Sequence, residues 1–357
     1  SGMVAVMTQN IGAGRPGVAY QARQLGLAFN AVLGVIMSLF LSLGAGTILS
    51  GVGVADALMQ PAKTYLQIVG GFCILNALIP ICSSYLRAFG FSKEPLYASI
   101  IGNVINFCLN AFFLFVLHKG VAGVATATVI SRIINLVIVV LLGAVLVKAK
   151  QHPERESNRA VMGQIIRIGL PSACETAIYN VSMTLVIRFL NQMDAQGLNV
   201  TARSYTMQIT NFSYCVGAAL AQANAIMTGW HIGAKEYDAC DRGTKKAAVI
   251  GVIVAVILET VFTLCSGWIM QLFSKDPQMV SLVGKLLAID IVLEIGRVTN
   301  LVYGQALKTS GDAVFPVVMG DCFMILCSVG GTYLFGIRLG LLAVGAYIGM
   351  TGDECVR

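Results

Sequence analysis

Apolar residues come in long runs along nearly the whole chain, and short stretches rich in Gly, Pro or charge separate them. Crossing roughly 30 Å of hydrocarbon takes about 20 mainly apolar residues in a helix. After a partial span ending near Gln9, the runs predict membrane helices near 25–50, 63–87, 96–117, 121–147, 163–190, 200–228, 247–273, 279–307, 313–335 and from 340 onward. The breaks are of the kind seen in Gly12-Ala13-Gly14-Arg15-Pro16-Gly17 and Ser274-Lys275-Asp276-Pro277. Lipid leaves no partner for a bare backbone amide, and the runs are too long for barrel strands, so helices are required.

One window divides the series. Lys148–Arg159 is the most charged stretch of the sequence and lies between two long, nearly uncharged halves. It reads as a water-exposed linker. The expected organisation is an incomplete N-terminal helix bundle over 1–150, a cytoplasmic linker over 151–162, and a C-terminal bundle over 163–357 that is incomplete at its end. The fold class is all-α and polytopic.

Composition agrees with that class. Hydrophobic residues make up 57% of the 357 and charged residues 11%, where a soluble domain averages about 25% charged. The formal charge of +7 does not point to nucleic acid, because the bases sit in gaps between apolar runs. Ten cysteines, none in a CxxC pair, and three histidines indicate no metal site or disulfide framework. Cysteine inside an apolar run acts as a small apolar residue. The opening Ser1-Gly2-Met3-Val4-Ala5-Val6-Met7 lacks a basic n-region, so no signal peptide is expected.

Charge placement orients the helices. The odd-numbered gaps hold Arg15, Arg23, Arg87, Lys93, Lys148, Lys150, Arg155, Arg159, Lys235, Arg242, Lys245, Lys246 and Lys308. The even ones hold Lys63, Lys119, Arg203, Lys275 and Arg338. The positive-inside rule puts the odd gaps and the linker in the cytoplasm. No gap has room for a soluble catalytic domain.

The halves also repeat each other. Ile11-Gly12-Ala13 recurs as Ile232-Gly233-Ala234, the set Ala88, Ser92 and Gly102 as Ala306, Ser310 and Gly320, and Gly120 as Gly340. An offset spanning an even number of helices returns the second copy in the same orientation, as in the parallel repeats of secondary transporters.

The motifs then become specific. Glu294-Ile-Gly-Arg297-Val-Thr-Asn300, Ala306-Leu-Lys308-Thr-Ser-Gly311-Asp312 and Phe315-Pro316 resemble the tenth helix and following loop of multidrug and toxic compound extrusion (MATE) transporters. Gly169-Leu-Pro171-Ser172, the Gly-Ala loops at 12 and 233, and Gly349-Met-Thr-Gly-Asp353-Glu354-Cys-Val-Arg357 are similar to the same family. The resemblance implies twelve helices in two six-helix bundles around a V-shaped cavity. It also implies export of organic, often cationic, compounds in exchange for H⁺ or Na⁺. By that register the chain lacks the first helix and parts of the second and twelfth.

Candidate chemistry follows from acids inside spans, which are expensive there, roughly 2.5–3.5 kcal/mol by insertion scales. The first half has Asp56 and Glu94, both in gaps, whereas the second carries Glu175, Glu259, Asp290, Glu294 and Asp321 within spans. Any ion site therefore belongs to the second bundle. Asp290, Glu294 and Arg297 share a helical face by their spacing; a structural ion pair is the competing reading. Glu175 follows Pro171 by one turn, Asp321 lies near mid-span, and Glu259 has no partner at helical spacing. The ion-coupling candidates are Glu175, Asp290, Glu294, Arg297 and Asp321. Candidates for a substrate cavity are Tyr179, Asn180, Tyr205, Met207, Gln208, Asn211, Asn300 and Tyr303. In the first bundle, Asn30, Asn76, Asn103, Asn106 and Asn110 are expected to make hydrogen bonds between helices.

The expected function is secondary active export by alternating access, in a cytoplasmic membrane, by a multi-pass monomer. No cofactor is expected beyond H⁺ or Na⁺, and no enzyme activity. A lipid-linked oligosaccharide flippase is the alternative. It is disfavoured because embedded bases are few: Arg132, Arg188, Lys285 and Arg297.

Overall fold

A computed structural model describes residues 2–52, 56–147, 153–193 and 197–357. Among these are fourteen α-helices and no strand. Residues 148–152, which include the start of the predicted linker, lie outside the described residues. Two compact units emerge. One is Val6–Ile165; the other is Ile166–Arg357, together with the start of the first helix.

In the first unit the helices are the end of α1 (Gly2–Gly12), α2 (Pro16–Leu43), α3 (Ala45–Val52), α4 (Asp56–Gly71), α5 (Ile74–Ala88), α6 (Lys93–Ala111) and α7 (Gly120–Leu146). A π-helical stretch, Phe112–Val116, extends α6. The span expected at 63–87 is in fact bent by 41° between α4 and α5. The break frees the amide of Ile74, which donates to Ser38 Oγ of α2 at 3.1 Å. That bond supplies the partner that an apolar surrounding cannot. The span expected at 25–50 is likewise divided, at Gly44, into α2 and α3. Of the asparagines, Asn106 donates to Ser131 Oγ of α7 at 3.2 Å, and Asn110 donates to Asn106 Oδ1 at 3.1 Å. Asn30 bonds within its own helix, and Asn76 and Asn103 are exposed. The described part of the linker is clasped by α2. Gln21 donates to Glu156 O at 2.7 Å and accepts from Glu156 N at 3.1 Å, while Arg15 pairs with the Glu156 carboxylate at 2.5 Å.

The second unit contains α8 (Asn158–Met193, whose first turns belong to the other unit), α9 (Leu198–Gly233), α10 (Tyr237–Leu264), α11 (Ser266–Met270), α12 (Pro277–Ser310), α13 (Val314–Phe323) and α14 (Leu342–Val356). The span expected at 247–273 is divided at Cys265. Two π-helical stretches, Met324–Val329 and Thr332–Arg338, follow α13.

Left-handed backbone marks the repeat directly. Gly14 and Lys235 have φ of 72° and 63°, Gly90 and Gly311 88° and 111°, and Gly120 and Gly340 53° and 70°. The partners are 221, 221 and 220 residues apart. Helix order recurs with them: α2 and α3 correspond to α10 and α11, α4 with α5 to α12, α6 to α13, and α7 to α14.

Five helices, α2, α6, α7, α10 and α13 with their π-helical extensions, are long and apolar enough to cross a membrane; the bent α4–α5 pair makes six. The longest, α8, α9 and α12, have 36, 36 and 34 residues but are not in that group. Their length suffices, since 34 residues rise about 50 Å. Polar side chains on one face of each lower the hydropathy.

α12 is the centre of the second unit. Pro277 opens it behind an Asp276 cap, whose side chain accepts from Gln278 N at 3.0 Å, and Gly311 closes it. It packs on α9, α10 and α14. Val298, fully buried, is wedged between two glycines: a Cβ at Gly217 of α9 would come within 2.9 Å of it, and one at Gly251 of α10 within 2.7 Å. A Cβ at Gly296 would stand 2.5 Å from the carbonyl oxygen of Glu354. α12 and α14 are therefore in backbone contact. These approaches fix the rotation of α12 and aim its polar face.

Candidate functional site

That face borders a cavity of about 660 Å³ within the second unit, lined by α8, α9, α12, α13, α14 and the π-helical stretch after α13. Each wall is a helical stripe: Glu175, Thr176, Tyr179, Asn180 and Met183 on α8, then Arg203, Met207, Thr210, Asn211 and Tyr214 on α9. α12 contributes Asp290, Arg297, Asn300, Tyr303 and Lys308, and α14 contributes Tyr347, Asp353 and Glu354. The size falls in the usual range for small-molecule sites, about 300–1,000 Å³.

Two charged groups border it. In the first, Arg297 Nη1 donates to Glu294 Oε2 at 2.7 Å, and its Nε lies 3.8 Å from Glu354 Oε1. Asn300 Nδ2 completes the link to α14, reaching Glu354 O at 2.8 Å and Oε2 at 2.9 Å. Glu294 and Glu259 are fully buried and Asp290 is 2% exposed. Among the described residues, Glu294 Oε1 and Asp290 Oδ2 have no hydrogen-bond partner. The charges of Asp290 and Glu294 act on Glu259, and that of Glu354 acts on both Asp290 and Glu294. Glu294 and Glu354 thus pair with one guanidinium, and Asp290 and Glu259 lie buried within range of its charge.

In the second group, Glu175 pairs with Lys308 and with Arg357 Nη2 at 3.5 Å. Asp321, 9% exposed with Oδ1 unpartnered, is close enough to feel Glu175, Lys308 and Arg357. Asp353 accepts from Ser328 Oγ at 2.8 Å.

Of the predicted coupling residues, Glu175, Asp290 and Arg297 line the cavity, Glu294 lies buried behind Arg297, and Asp321 belongs to the second group without lining the cavity. Of the cavity candidates, Tyr179, Asn180, Met207, Asn211, Asn300 and Tyr303 line it. Tyr205 instead stacks on Phe273, with ring centroids 5.3 Å apart, and Gln208 is exposed away from it.

Of the residues placed in gaps by the sequence, two reach the cavity. Arg203 is in α9, 6% exposed, and Lys308 is in the last turn of α12, 7% exposed; both line the cavity. The helices outrun their apolar runs, so charges counted as loop charges are wall charges. Glu259 had no partner at helical spacing because its neighbours are on α12, not on its own helix. Glu354 joins the site from the terminal motif, and its bond to Asn300 of α12 reveals that. Among the described residues, no group of three or more His, Cys, Asp or Glu is placed to hold a metal ion.

Comparison with known proteins now adds the family. The MatE family model matches residues 1–112 and 171–334. The uncharacterized transporter YisQ of Bacillus subtilis is 31% identical, over all of this chain and 79% of its own length. The probable multidrug resistance protein NorM of Streptococcus pneumoniae is 24% identical over 90% of this chain and 72% of its own length. The probable multidrug resistance protein YoeA of Bacillus subtilis is 23% identical over 82% of this chain, which spans 65% of that relative. Among solved structures, MATE in its bent conformation superposes with a TM-score of 0.90 at 18% identity, over 99% of this chain and 79% of that one. An outward-facing multidrug resistance MATE family transporter gives 0.88 at 17% identity, over 99% and 80%. At these identities the structures speak for the fold, and none of the proteins named is described as a flippase. A family model covering most of the chain, a relative 31% identical along its whole length, and a shared helical fold establish that the chain belongs to the MatE family of multidrug and toxic compound extrusion transporters.

Proposed function

We propose that the protein is a secondary active exporter of small organic compounds in the cytoplasmic membrane. It works by alternating access, and inward flow of H⁺ or Na⁺ drives it. The observation that supports this is the pairing of Arg297 with both Glu294 and Glu354 beside two further buried acids, Asp290 and Glu259. Fully ionised, the group would hold an excess of negative charge in a low-dielectric interior, where unpaired charges are costly. A monovalent cation or proton relieves that cost, and so does a cationic group on a compound in the adjoining cavity. Ion and compound then exclude one another, which is the requirement for exchange.

Arg297 links the two occupancies. It holds Glu294 in the buried cluster and Glu354 on α14. Neutralising the acids weakens that bond and leaves the guanidinium freer to disfavour a bound cation. The ion-coupling roles belong to Asp290, Glu294 and Arg297, with Glu175 and Asp321 as a second set. Tyr179, Asn180, Met207, Asn211, Asn300 and Tyr303 supply the adaptable surface. Met suits it because its flexible thioether repacks around varied shapes.

The test is efflux of a fluorescent organic cation from vesicles containing the purified protein, with pH and Na⁺ gradients imposed one at a time. Export should follow one gradient. Equal, gradient-independent leakage under both conditions would overturn the proposal.

A further inference from the structure

Three of the four bases lining the cavity have a carboxylate partner: Arg297 has Glu294, and Lys308 and Arg357 share Glu175. Arg203 differs. It is 6% exposed, and its one hydrogen bond runs from Nη2 to the thioether sulfur of Met183 at 3.5 Å. Its Nε has no partner, and no ion pair joins it among the described residues. A guanidinium stays charged in proteins and a thioether is a weak acceptor, so this charge is left unbalanced where water is scarce.

The surroundings show what fits. Arg203 and Asp290 both line the cavity, and both charges act on Tyr347 of α14, which is 2% exposed. The cavity therefore presents a buried positive fork on α9 and, on α12, an acid with an unpartnered oxygen. A guanidinium offers parallel donors that match the two oxygens of a carboxylate.

We propose that Arg203 binds an anionic group, a carboxylate or similar planar oxyanion, on the exported compound, so that the preferred substrates are amphoteric, with a cationic part and an acid. This rests on the exporter reading and narrows its substrate class. The tyrosines and methionines of α8 and α9 cover the apolar body of the compound, and Arg203 selects its acidic end.

The test compares two dyes that share one cationic ring system. Rhodamine 110 keeps a free carboxylate, and rhodamine 123 carries it as a methyl ester. Fluorescence anisotropy with the purified protein in detergent, in phosphate-free buffer, gives both affinities. Rhodamine 110 should bind roughly ten- to a hundredfold more tightly, the worth of a charge-assisted pair. Arg203→Gln should shrink that ratio by at least tenfold. Arg203→Lys, which keeps the charge without the fork, should shrink it partly, and it serves if Arg203→Gln does not elute as a folded species. Equal affinities in the wild type, or a ratio unchanged in either variant, would overturn the proposal. Binding of rhodamine 123 with exclusion of rhodamine 110 would also overturn it, yet leave the exporter reading intact. Binding of neither dye counts against both.

Discussion

Replacing Glu294 by Gln removes a charge while keeping size and most hydrogen bonding. Its consequence can be worked out from the contacts of Arg297. Breaking a buried ion pair typically costs about 3–5 kcal/mol, because the remaining partner is stranded. Here the guanidinium is not stranded: its side chain is 24% exposed and Glu354 stays within 3.8 Å. The Gln carbonyl can still accept from Nη1. The loss should therefore be nearer that of one charged hydrogen bond, about 1.5–3 kcal/mol, and should lower the melting midpoint by several degrees. Gradient-driven efflux should fall far more, by tenfold or greater, since the titratable group is gone. The assay is vesicle efflux alongside thermal melting of the same preparation. Glu294→Gln with Arg297→Gln separates the two roles. Recovery of both stability and gradient-driven export in the double variant would falsify a coupling role for Glu294 and leave Glu175 as the better candidate.

Other expectations follow from the same geometry. Gly296→Ala places a methyl group 2.5 Å from the Glu354 carbonyl oxygen; backbone must move, so stability should drop by about 1–3 kcal/mol as in other overpacked sites, and an unchanged melting curve would contradict the α12–α14 contact. Lys308→Met leaves Glu175 with Arg357 alone and should weaken export at least severalfold with a smaller loss of stability; wild-type efflux would remove the second charged group from the mechanism. On a cysteine-free background, Arg155→Cys should react with impermeant reagents only from the cytoplasm and Lys275→Cys only from outside. Labelling of both from one side would refute the orientation drawn from the loop charges.

The sequence made visible what depends on one helix at a time. α2, α6, α7 and α10 stand out because most of their surface is apolar, and Asp290, Glu294 and Arg297 stand out because four- and three-residue spacings put them on one face. The repeat showed through Gly120 and Gly340, both in left-handed turns that tolerate few residues; the structure adds Gly14 with Lys235 and Gly90 with Gly311. What spans two helices stayed hidden. The charge of Asp290 acts on Glu259 across the α10–α12 interface, and Glu354 meets Asn300 only because Gly296 lets two backbones touch. Arg203 reads as a loop residue in the sequence because hydropathy ends where a polar helical face begins. The breaks at Gly44 and after Gly71 were missed for a related reason. A hydroxyl from a neighbouring helix satisfies the freed amide of Ile74, and no local pattern announces such a partner.

Exchange demands that ion and exported compound compete. Binding of a fluorescent substrate to the purified protein, titrated at a series of pH values and then of Na⁺ concentrations, measures that competition without any gradient. Affinity should fall steadily as the coupling ion is raised, and Glu294→Gln should flatten the dependence. An affinity that stays constant across both series in the wild type would contradict coupling through the shared Arg297 cluster.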